Sequence, residues 1–422
     1  MKIGVFTQVN LKFYGAGASA LRVEELTKYL PNYGCSISLF SPGNLSDELR
    51  DRVKHISLNR RDRVKHISLN RRCIPPYFPQ LSNIFSKSLL PLNYIVSKFP
   101  APSKLVSEDY DILHCHQHEA ASIALMLKKG INAPILLDMH GIWALQPRAI
   151  SPLGHLNDYL QRVNEKMLLK NVDGISVVSY PLKRYLIDSF KVPEDKIFII
   201  PDGADIDLMQ MPIQEDVKTN LISSLSLEGG EKIIMYIGSF GALHGTLEML
   251  KVMAVINHKL KNAKKEIVLV LVGGHKPFLS IMKKYIQEHD LSNVHLCDPI
   301  PHRDVPLYYS IADVLVSTYT KNKANALIVL GTKYKEYLAS GKPIVATNVG
   351  FAGKTLKDND AAVLVEPGNP ESIAEGILKA LYDEEVRKRI VDNGKKLVTE
   401  EWSWKKSAEK AVEVYKIMLE KF

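Results

Sequence analysis

The chain of 422 residues contains no apolar run that approaches the length needed to cross a bilayer, which argues against an integral membrane protein. Its four cysteines lie far apart and fit neither a zinc site nor a disulfide framework. The opening residues, MKIGVFTQVN, lack the longer apolar stretch and the small-residue cleavage site of a signal peptide. We therefore expect a cytoplasmic protein whose thiols are reduced.

Composition and charge limit the class of partner. Hydrophobic residues make up 46% of the chain and charged residues 24%, the balance of an ordinary globular protein. The formal net charge of +9 favours anionic partners such as phosphates, acidic lipids or nucleic acids, although general solubility explains it equally well. No aromatic and basic motif of an RNA-binding module accompanies the charge, so we expect no nucleic acid partner.

Short β-rich apolar runs alternate with amphipathic helical patterns along the chain, which indicates parallel α/β sheets. The alternation begins with KIGVFTQV, breaks near Pro201 and restarts with KIIMYIGSF. We predict an α/β protein with two Rossmann-like, doubly wound domains at 1–200 and 231–404, joined by a linker region at 201–230. A ligand cleft is expected between the domains, and a C-terminal helix at 405–422 is expected to pack back on the first domain.

A tandem duplication interrupts the first domain: residues 51–61 are repeated at once as residues 62–72. The apolar residues of the first copy and of the turn before it fall at helical spacing, so we predict a helix there. For the second copy we predict an edge strand, Val64–Leu69. Two copies are too few to specify a coiled coil, and we interpret the repeat as a tolerated surface insertion.

The segment YGAGASALR places Gly15, Gly17 and Ala20 in a G-x-G-x-x-A pattern between a predicted strand and a predicted helix. NAD binding is disfavoured, because no acidic residue ends the second predicted strand to hold a ribose. The glycines instead allow backbone N–H groups to approach an anion at the helix N-terminus, and a plain loop is the alternative.

Histidines follow two of the predicted strands. His114, His116 and His118 alternate in HCHQHE and would share one face of a continuous strand, as metal ligands can. We expect this strand to end near Cys115, so we predict no metal site. His140, in LDMHGIW, ends another strand, where it either faces the expected cleft or serves as a hydrogen-bonded structural histidine.

The stretch GTKYKEYLASGKPIVAT predicts a short helix that Thr332 caps and that stops at Gly341 before another strand. Lys333 lies in the first turn, where the helix dipole disfavours a cation, so we predict that an anion binds nearby. Glu336, one turn further on, is placed to accept hydrogen bonds from the vicinal hydroxyls of a ribose. Ordinary surface charges on a solvated helix are the alternative interpretation.

Taken together, these segments resemble the retaining glycosyltransferases of family 4, which have the GT-B fold. The resemblance runs nearly from end to end and rests on the order and spacing of its motifs. The motifs are GAGA, DMHG, NVDGISVVSYPLKRYL, IIPDGADIDLM, YIGSFGALHG, IADVLVST, KYKEYLASGKPIVAT and the tail VEPGNPESIAEGILKALYDEEVRKRI.

This resemblance implies transfer of a sugar from a nucleotide-sugar donor with retention of the anomeric configuration. It places the nucleotide mainly on the second domain and the acceptor on the first. Glu336 matches the glutamate that holds the nucleotide ribose, and Lys333 matches a lysine of one branch of the family. Gly15 and Gly17 match the loop that faces the donor phosphates, and His140 matches a histidine near the transferring sugar.

The turn after YIG, which contains Gly238, contributes to donor binding in the family and often carries Arg and Lys on the diphosphate. Ser239 and His244 occupy those two positions here. Ile328 stands where a first glutamate is common, and Lys354 stands where an acidic residue is common. The resemblance therefore assigns the diphosphate to His244, to the helix lysine and to backbone N–H groups.

The mechanism implied is departure of a diphosphate that Lys333, His244 and the N–H groups near Gly15 and Gly17 stabilise. We expect no metal, because no D-x-D motif stands beside a strand end, and no cofactor apart from the nucleotide-sugar substrate. A non-catalytic nucleotide-sugar binding protein and a nucleotide-sugar epimerase of similar fold stay open as alternatives.

The acceptor is expected to be a glycan or a lipid-linked molecule, as in polysaccharide biosynthesis. The segment SNIFSKSLLPLNYIVSKF combines apolar residues with two lysines, and four arginines precede it. We interpret it as an amphipathic segment for peripheral docking on the anionic inner face of a membrane. Packing of this segment on its own domain is the alternative.

Overall fold

The structure is a computed structural model, and elements are numbered in chain order among the residues that it describes. These residues are 1–7, 17–41, 49, 52–57, 109–142, 152–260, 266–274, 278–322, 325 and 331–422. They separate into two compact units, Met1–Pro201 with Ser407–Phe422, and Asp202–Lys406.

The first unit contains a sheet of seven parallel strands in the order β3-β2-β1-β4-β5-β6-β7. The strands are β1 Lys2–Thr7, β2 Ser36–Ser41, β3 Lys54–Ser57, β4 Ile112–His116, β5 Ile135–Met139, β6 Gly174–Val177 and β7 Ile197–Ile199. The helices of this unit are α1 Gly17–Tyr29, α2 Gln117–Met126, α3 Pro152–Asn171, α4 Tyr180–Phe190 and the last helix of the chain, α14 Trp404–Lys421.

Both faces of this sheet are covered, because neighbouring residues of each central strand enter opposite hydrophobic cores. In β5, Ile135 and Leu137 belong to one core and Leu136 to the other. A parallel sheet buried in this way produces continuous apolar runs in the sequence, which is why these strands are visible in it. Helix α14 adds Ala411 and Tyr415 to the second core, and Tyr415 is fully buried.

The second unit contains a sheet of six parallel strands in the order β10-β9-β8-β11-β12-β13. The strands are β8 Lys232–Ile237, β9 Ile267–Val272, β10 Val294–Cys297, β11 Val314–Ser317, β12 Ile344–Thr347 and β13 Val363–Val365. The helices are α5 Ile206–Met209, α6 Glu215–Ser224, α7 Thr246–Lys259, α8 Phe278–Glu288, α9 Val305–Ile311, α10 Thr332–Ser340, α11 Gly350–Asp358, α12 Pro370–Tyr382 and α13 Glu384–Glu401.

Both sheets have the doubly wound order, which confirms the predicted fold class. In the first unit the order reverses between β1 and β4, and in the second between β8 and β11. Ligands of doubly wound sheets bind beyond the carboxyl ends of the strands at such a reversal. The candidate residues described below lie at these ends.

The first copy of the duplicated segment contains a strand, so the helix predicted for that copy is wrong. Residues Lys54–Ser57 form β3 and pair in parallel with Ser38–Ser41 of β2. The helical spacing that favoured a helix is overridden by this ladder and by burial of Leu49 and Val53 in the core. The second copy, with the strand predicted at Val64–Leu69, lies outside the described residues.

The region predicted as a linker is folded from Asp202 onward and belongs to the second unit. It contains α5 and α6 despite its polar composition. Met209 and Leu227 enter a core of that unit, and Leu221 of α6 is buried. A few buried apolar residues therefore anchor a segment whose average composition resembles that of a linker.

None of the described helices combines the length and the apolar character that crossing a membrane requires.

Candidate active site

Helix α10 begins at Thr332, directly after Gly331, and ends at Gly341, whose φ of +70° gives the left-handed cap that glycine favours. Thr332 is the first helical residue, and no side chain caps the N-terminus. The predicted helix and its end are confirmed, whereas the predicted Thr332 cap is wrong. This helix carries both predicted site residues of the segment, Lys333 and Glu336.

Glu336 is a buried carboxylate held by two ring-bearing side chains. Its Oε1 lies 2.7 Å from Nε2 of His302, in the short helical turn before α9. Its Oε2 accepts a weaker hydrogen bond from the hydroxyl of Tyr309, at 3.5 Å. Burial, followed by the nearby charge of Glu336, raises the pKa of Tyr309 well above its usual value. The carboxylate is thus oriented before any ligand arrives.

Lys333 lies one turn before Glu336, and its ammonium nitrogen is buried without a hydrogen-bond partner among the residues that the structure describes. Two aromatic rings surround it instead. Nζ lies 3.9 Å from the ring centre of Tyr236 and 5.2 Å from that of Tyr319. Burial lowers the pKa of Lys333 to about 7, although the charge of Glu336 acts in the opposite direction. Cation–π contacts offset only part of the cost of removing an ammonium from water.

The turn that follows β8 lies against this lysine. Gly238 has a φ of +149°, and a Cβ there would lie 3.2 Å from Nζ of Lys333. Glycine therefore permits both the backbone conformation and the close approach. The next residue, Ser239, is exposed, and its carbonyl accepts a hydrogen bond of 2.7 Å from the Tyr236 hydroxyl.

His244 lies at the end of the same turn, immediately before α7. Its ring centre is 5.3 Å from that of Tyr319, and its Nδ1 is buried and has no hydrogen-bond partner within the described ranges. Burial, followed by the nearby charge of Lys333, lowers the pKa of His244 to about 4. The histidine is therefore neutral near pH 7 and serves as a hydrogen-bonding group rather than as a second cation.

These contacts define a donor cluster, consisting of Gly238, His244, Lys333 and Glu336, at the carboxyl end of β8. It combines an oriented carboxylate with an ammonium and an imidazole nitrogen whose hydrogen-bonding capacity is unused. Buried polar atoms without partners are uncommon in folded proteins. Such an arrangement can bind an anion next to a group that carries vicinal hydroxyls.

A second cluster lies in the first unit, around the carboxylate of Asp138. The strand register places His116, Asp138 and Ser176 side by side on β4, β5 and β6. Arg22 of α1 donates to both oxygens of Asp138, from Nε at 2.7 Å and from a terminal nitrogen at 2.9 Å. The same terminal nitrogen donates to the carbonyl of Ile200 at 2.9 Å. Ser176 donates to Oδ1 at 2.7 Å.

The ionisation of Asp138 follows from these donors. Burial alone would raise the pKa of Asp138, but the Arg22 guanidinium and the hydrogen bonds from His116 and His140 outweigh it. The pKa of Asp138 is therefore held well below its usual range. The Arg22–Asp138 pair is a fully buried, charge-compensated ion pair.

Three histidines pack around this ion pair. Nδ1 of His116 lies 3.0 Å and Nε2 of His140 lies 3.3 Å from the same oxygen of Asp138, and the two nitrogens are 3.2 Å apart. The ring of His114 stacks on that of His116 with centres 4.4 Å apart, and its Nδ1 is 2.7 Å from the Tyr415 hydroxyl of α14. Burial lowers the pKa of His116 to about 4 and that of His114 well below its usual value.

The geometry of this cluster also bears on a metal ion. Strand β4 extends to His116, beyond the predicted end at Cys115, so His114 and His116 do share a face and, with Asp138, offer ligand atoms within 4.8 Å of one another. Arg22, however, already donates to both oxygens of Asp138. A divalent ion would place a second positive charge beside the guanidinium, so the cluster suits an internal ion pair better than a metal.

The remaining predicted residues are placed as follows. His118 pairs with the buried Glu165 at 3.1 Å, apart from the other histidines. Gly17 is the first residue of α1, whereas Gly15 lies outside the described residues. The structure thus brings Gly238, His244, Lys333 and Glu336 together in the second unit and places His140 in the Asp138 cluster of the first.

Sequence reasoning missed residues in both clusters. Asp138 could have been found from the sequence, because it stands two positions before His140 and hence on the same side of the strand end. Arg22 could also have been found, because it is a charged residue on the apolar face of a predicted helix. No sequence pattern points to His302 or Tyr236, since their roles depend on contacts with α10, which lies far away in the sequence.

Each of the two units is similar to a known protein family. The sequence signature described as Glycosyltransferase Family 4 matches residues 19–208, and the one described as Glycosyl transferases group 1 matches residues 217–397. The two matches follow one another and together span most of the chain. The chain belongs to glycosyltransferase family 4. It therefore transfers a glycosyl group from a nucleotide-sugar donor.

This glycosyltransferase is 27% identical over 330 residues to an uncharacterized glycosyltransferase of Methanocaldococcus jannaschii, covering 74% of this chain and 77% of that protein. A D-inositol 3-phosphate glycosyltransferase of Corynebacterium diphtheriae is 24% identical over 312 residues, covering 72% and 70%. The structure of HepE of Anabaena in complex with UDP-glucose superposes with a TM-score of 0.71 at 15% identity, covering 99% of both chains. The structural likeness establishes the GT-B fold.

Membership in the family decides between the functional alternatives drawn from the sequence. Glycosyl transfer is favoured over a non-catalytic nucleotide-sugar binding protein and over an epimerase. The roles of individual residues of this glycosyltransferase do not follow from the family signatures. They are argued below from the geometry.

Proposed function

We propose that this glycosyltransferase transfers a sugar from a UDP-sugar to a glycan or lipid-linked acceptor, with retention of the anomeric configuration. The complex of HepE with UDP-glucose supports uridine as the base. The buried ammonium of Lys333, which has no hydrogen-bond partner in the described part of the chain, carries the assignment of the donor site. A donor diphosphate supplies the anionic oxygens that this ammonium lacks.

Two further groups extend the site along the donor. His244 presents an imidazole nitrogen near the same aromatic ring as the lysine, and it donates to a phosphate oxygen in one of its two tautomers. Glu336 accepts hydrogen bonds from the ribose hydroxyls, with His302 fixing one of its two oxygens. The role of the backbone N–H groups near Gly17, at the start of α1, as further donors to the diphosphate stays a prediction from the sequence.

The chemical step breaks the bond between the anomeric carbon and the diphosphate oxygen and forms a bond from that carbon to the acceptor oxygen. The acceptor proton passes to the departing diphosphate, so no protein base is required. Negative charge grows on the leaving group, and Lys333 and His244 stabilise it. Each such preorganised group contributes roughly 3 kcal/mol to the stabilisation of the transition state, by analogy with oxyanion-hole donors.

Catalysis without a metal or an additional cofactor is part of the proposal. The ammonium of Lys333 supplies positive charge to the diphosphate, and Arg22 already compensates the Asp138 carboxylate. Full activity after exhaustive treatment with a chelator supports this statement. Loss of activity that a divalent ion restores would contradict it.

Donor identity is tested by isothermal titration of the full chain against UDP-, GDP- and ADP-sugars, with Lys333→Met and Glu336→Gln as variants. We expect binding of a UDP-sugar that both variants weaken. Binding that is equally tight in either variant would remove the corresponding residue from the donor site. Tight binding of only a GDP-sugar or an ADP-sugar would contradict the assignment of uridine as the base of the donor.

The acceptor is tested by product formation, with lipid-linked sugars and soluble glycans as alternative arms. D-Inositol 3-phosphate belongs in this panel because a relative is named for it. Mass spectrometry of the product gives the mass added, and NMR of the anomeric proton gives its configuration. A product of inverted configuration would contradict retention.

Docking on an anionic membrane is also proposed, from the sequence SNIFSKSLLPLNYIVSKF alone, which lies outside the described residues. Liposome flotation with and without anionic lipid tests this idea. We expect flotation that depends on anionic lipid and weakens as salt rises. Flotation that is absent or insensitive to salt would contradict the proposal.

A further inference from the structure

We propose that Asp138 and Arg22 are positioning residues that fix the tautomer of His140, so that its Nδ1 lone pair accepts a hydrogen bond from a sugar hydroxyl of the substrate. The inference deepens the proposed function, since it takes His140 to contact the transferring sugar. It concerns residues that neither the family signatures nor the sequence assigned.

The first step is the ionisation of Asp138. Its two oxygens accept hydrogen bonds from the Nε and a terminal nitrogen of Arg22, and from the hydroxyl of Ser176. All three side chains are buried. A carboxyl group that receives a bidentate guanidinium stays a carboxylate, and a carboxylate can only accept.

The second step is the tautomer of His140. Its Nε2 lies 3.3 Å from the Asp138 oxygen, so this nitrogen carries the proton. The 3.2 Å approach between His140 and His116 is then a contact of two N–H groups aimed at the same oxygen, rather than a hydrogen bond between the rings. Asp138 therefore decides which nitrogen of His140 is the donor.

The third step concerns the other nitrogen. With Nε2 protonated, Nδ1 of the neutral imidazole carries a lone pair. This atom is buried and has no hydrogen-bond partner among the described residues. A hydroxyl group satisfies a buried acceptor, and hydroxyls are the donors that a sugar offers. The opposite tautomer would present an N–H at this position and would reject a hydroxyl that must donate.

The fourth step explains the buried arginine. An isolated carboxylate in this environment would take up a proton, because burial opposes its charge. A protonated Asp138 could donate to His140 as readily as accept from it, and the tautomer would no longer be fixed. Arg22 thus acts on the substrate through two other residues, at a distance from any reacting atom.

The test uses the full chain labelled with ¹⁵N-histidine, and His140→Gln assigns the signal. In the wild type at about pH 7 we expect the ¹⁵N shifts of a neutral ring protonated at Nε2. Asp138→Asn alone leaves Arg22 unpaired and risks unfolding, so the double variant Arg22→Met with Asp138→Asn removes both charges. In it we expect a change toward the Nδ1-protonated tautomer. A wild-type ring protonated at Nδ1, or unchanged shifts in the folded double variant, would overturn the proposal.

Activity supplies the second readout. In the double variant we expect kcat to fall by about 10- to 100-fold, the range seen when a group that orients a catalytic ligand is removed. We expect Arg22→Lys to keep more activity than Arg22→Met, because it keeps a cation on Asp138. Wild-type kcat in a folded double variant would contradict the proposal.

The two proposals fail in different ways. If His140→Gln keeps full activity, His140 does not contact the sugar, and the role that the sequence resemblance predicts for it is wrong. If His140→Gln loses activity while the folded double variant keeps it, the site assignment stands and the role of Asp138 and Arg22 is wrong. Only a loss in both, together with the change of tautomer, supports the inference.

Discussion

Two buried cations, Arg22 of the first unit and Lys333 of the second, have opposite surroundings. Arg22 donates to both oxygens of Asp138 and to the Ile200 carbonyl, so its charge and its donors are compensated within the fold. Lys333 contacts the faces of two tyrosine rings, and no described residue forms a hydrogen bond with its ammonium. The first cation completes an internal network, and the second is prepared for an external anion.

The difference indicates how to recognise a ligand site among buried charges. Burial alone does not distinguish the two cations, because both nitrogens are removed from water. The presence of a compensating carboxylate does distinguish them, because a cation that the protein itself neutralises is less able to bind an anionic substrate. The four predictions that follow test this comparison, beginning with the largest expected effect.

Breaking the compensated pair is expected to cost the most stability. Arg22→Met leaves the Asp138 carboxylate buried without its cation and should lower the free energy of unfolding by about 3–5 kcal/mol. The double variant with Asp138→Asn should recover much of this loss. Urea unfolding followed by circular dichroism measures both. Equal stability of Arg22→Met and the wild type would show that the pair is not the closed network described.

Removing the uncompensated cation is expected to cost activity rather than stability. Lys333→Met should lower kcat by about 100- to 1,000-fold, as the loss of an oxyanion donor does, because the departing diphosphate loses its ammonium. Its free energy of unfolding should equal or exceed that of the wild type. Steady-state kinetics and urea unfolding give the two values.

A matched control separates local charge from overall charge. Lys251, on the exposed surface of α7, pairs with Glu248. Lys251→Met removes the same charge and should leave kcat unchanged. A comparable fall of kcat in both variants would remove the special role of Lys333.

The oriented carboxylate is expected to have a smaller effect, confined to donor affinity. Glu336→Gln should weaken donor binding by about 10- to 100-fold, since a hydrogen bond to a charged group contributes about 1.5–3 kcal/mol. His302→Gln should weaken it less, because only the orientation of Glu336 is lost. Calorimetric titration measures these changes. Tyr309→Phe, which removes a contact of 3.5 Å, serves as the control and should bind the donor as the wild type does.

The stability of the protein is expected to depend on pH in two separate pH ranges, one set by Lys333 of the second unit and the other by His116 of the first. Burial holds the pKa of Lys333 at about 7, below its usual 10.5. The unfolded chain therefore binds more protons between these values, and stability rises with pH there by at most about 1.4 kcal/mol per unit. The burial penalty is fully present below pH 7 and is lost as the pH rises. Lys333→Met should flatten this part of the curve.

His116 also makes the stability of the protein rise with pH, but over a lower pH range. Its pKa is lowered by burial from 6.5 to about 4, so stability should fall as the pH drops from 6.5 toward 4. His116→Gln should weaken this acid dependence without affecting the window of Lys333. Unfolding midpoints measured across both windows test the assignment. A curve that neither variant alters would contradict both.

Much of the fold could be predicted from the sequence because its signals are local. Strand β5 and the segment of α10 appear in the sequence as an apolar run and as a helix that a glycine ends. Lys333 is predicted because the helix dipole disfavours a cation in the first turn, and Glu336 because a carboxylate one turn further on can accept hydrogen bonds from ribose hydroxyls. Four of the predicted donor residues, Gly238, His244, Lys333 and Glu336, do lie together, although their roles stay predictions.

The parts that could not be predicted depend on distant partners. Arg22 and Asp138 are 116 positions apart, and His114 and Tyr415 are 301 apart. Local patterns carry no information about such pairs. Thr332 was predicted as a cap from its identity, but the helix begins one residue earlier than a cap would require.

The sequence by itself determined the two doubly wound sheets, the helix that holds Lys333 and Glu336, and the strand end that carries His140. These features depend on spacing and on turn residues, which act over a few positions. The tertiary structure alone decided that Arg22 compensates Asp138, that tyrosine rings surround Lys333, and that residues 54–57 form an edge strand. The spacing of apolar residues in the first copy of the repeat favours a helix, and pairing with β2 overrides that local preference.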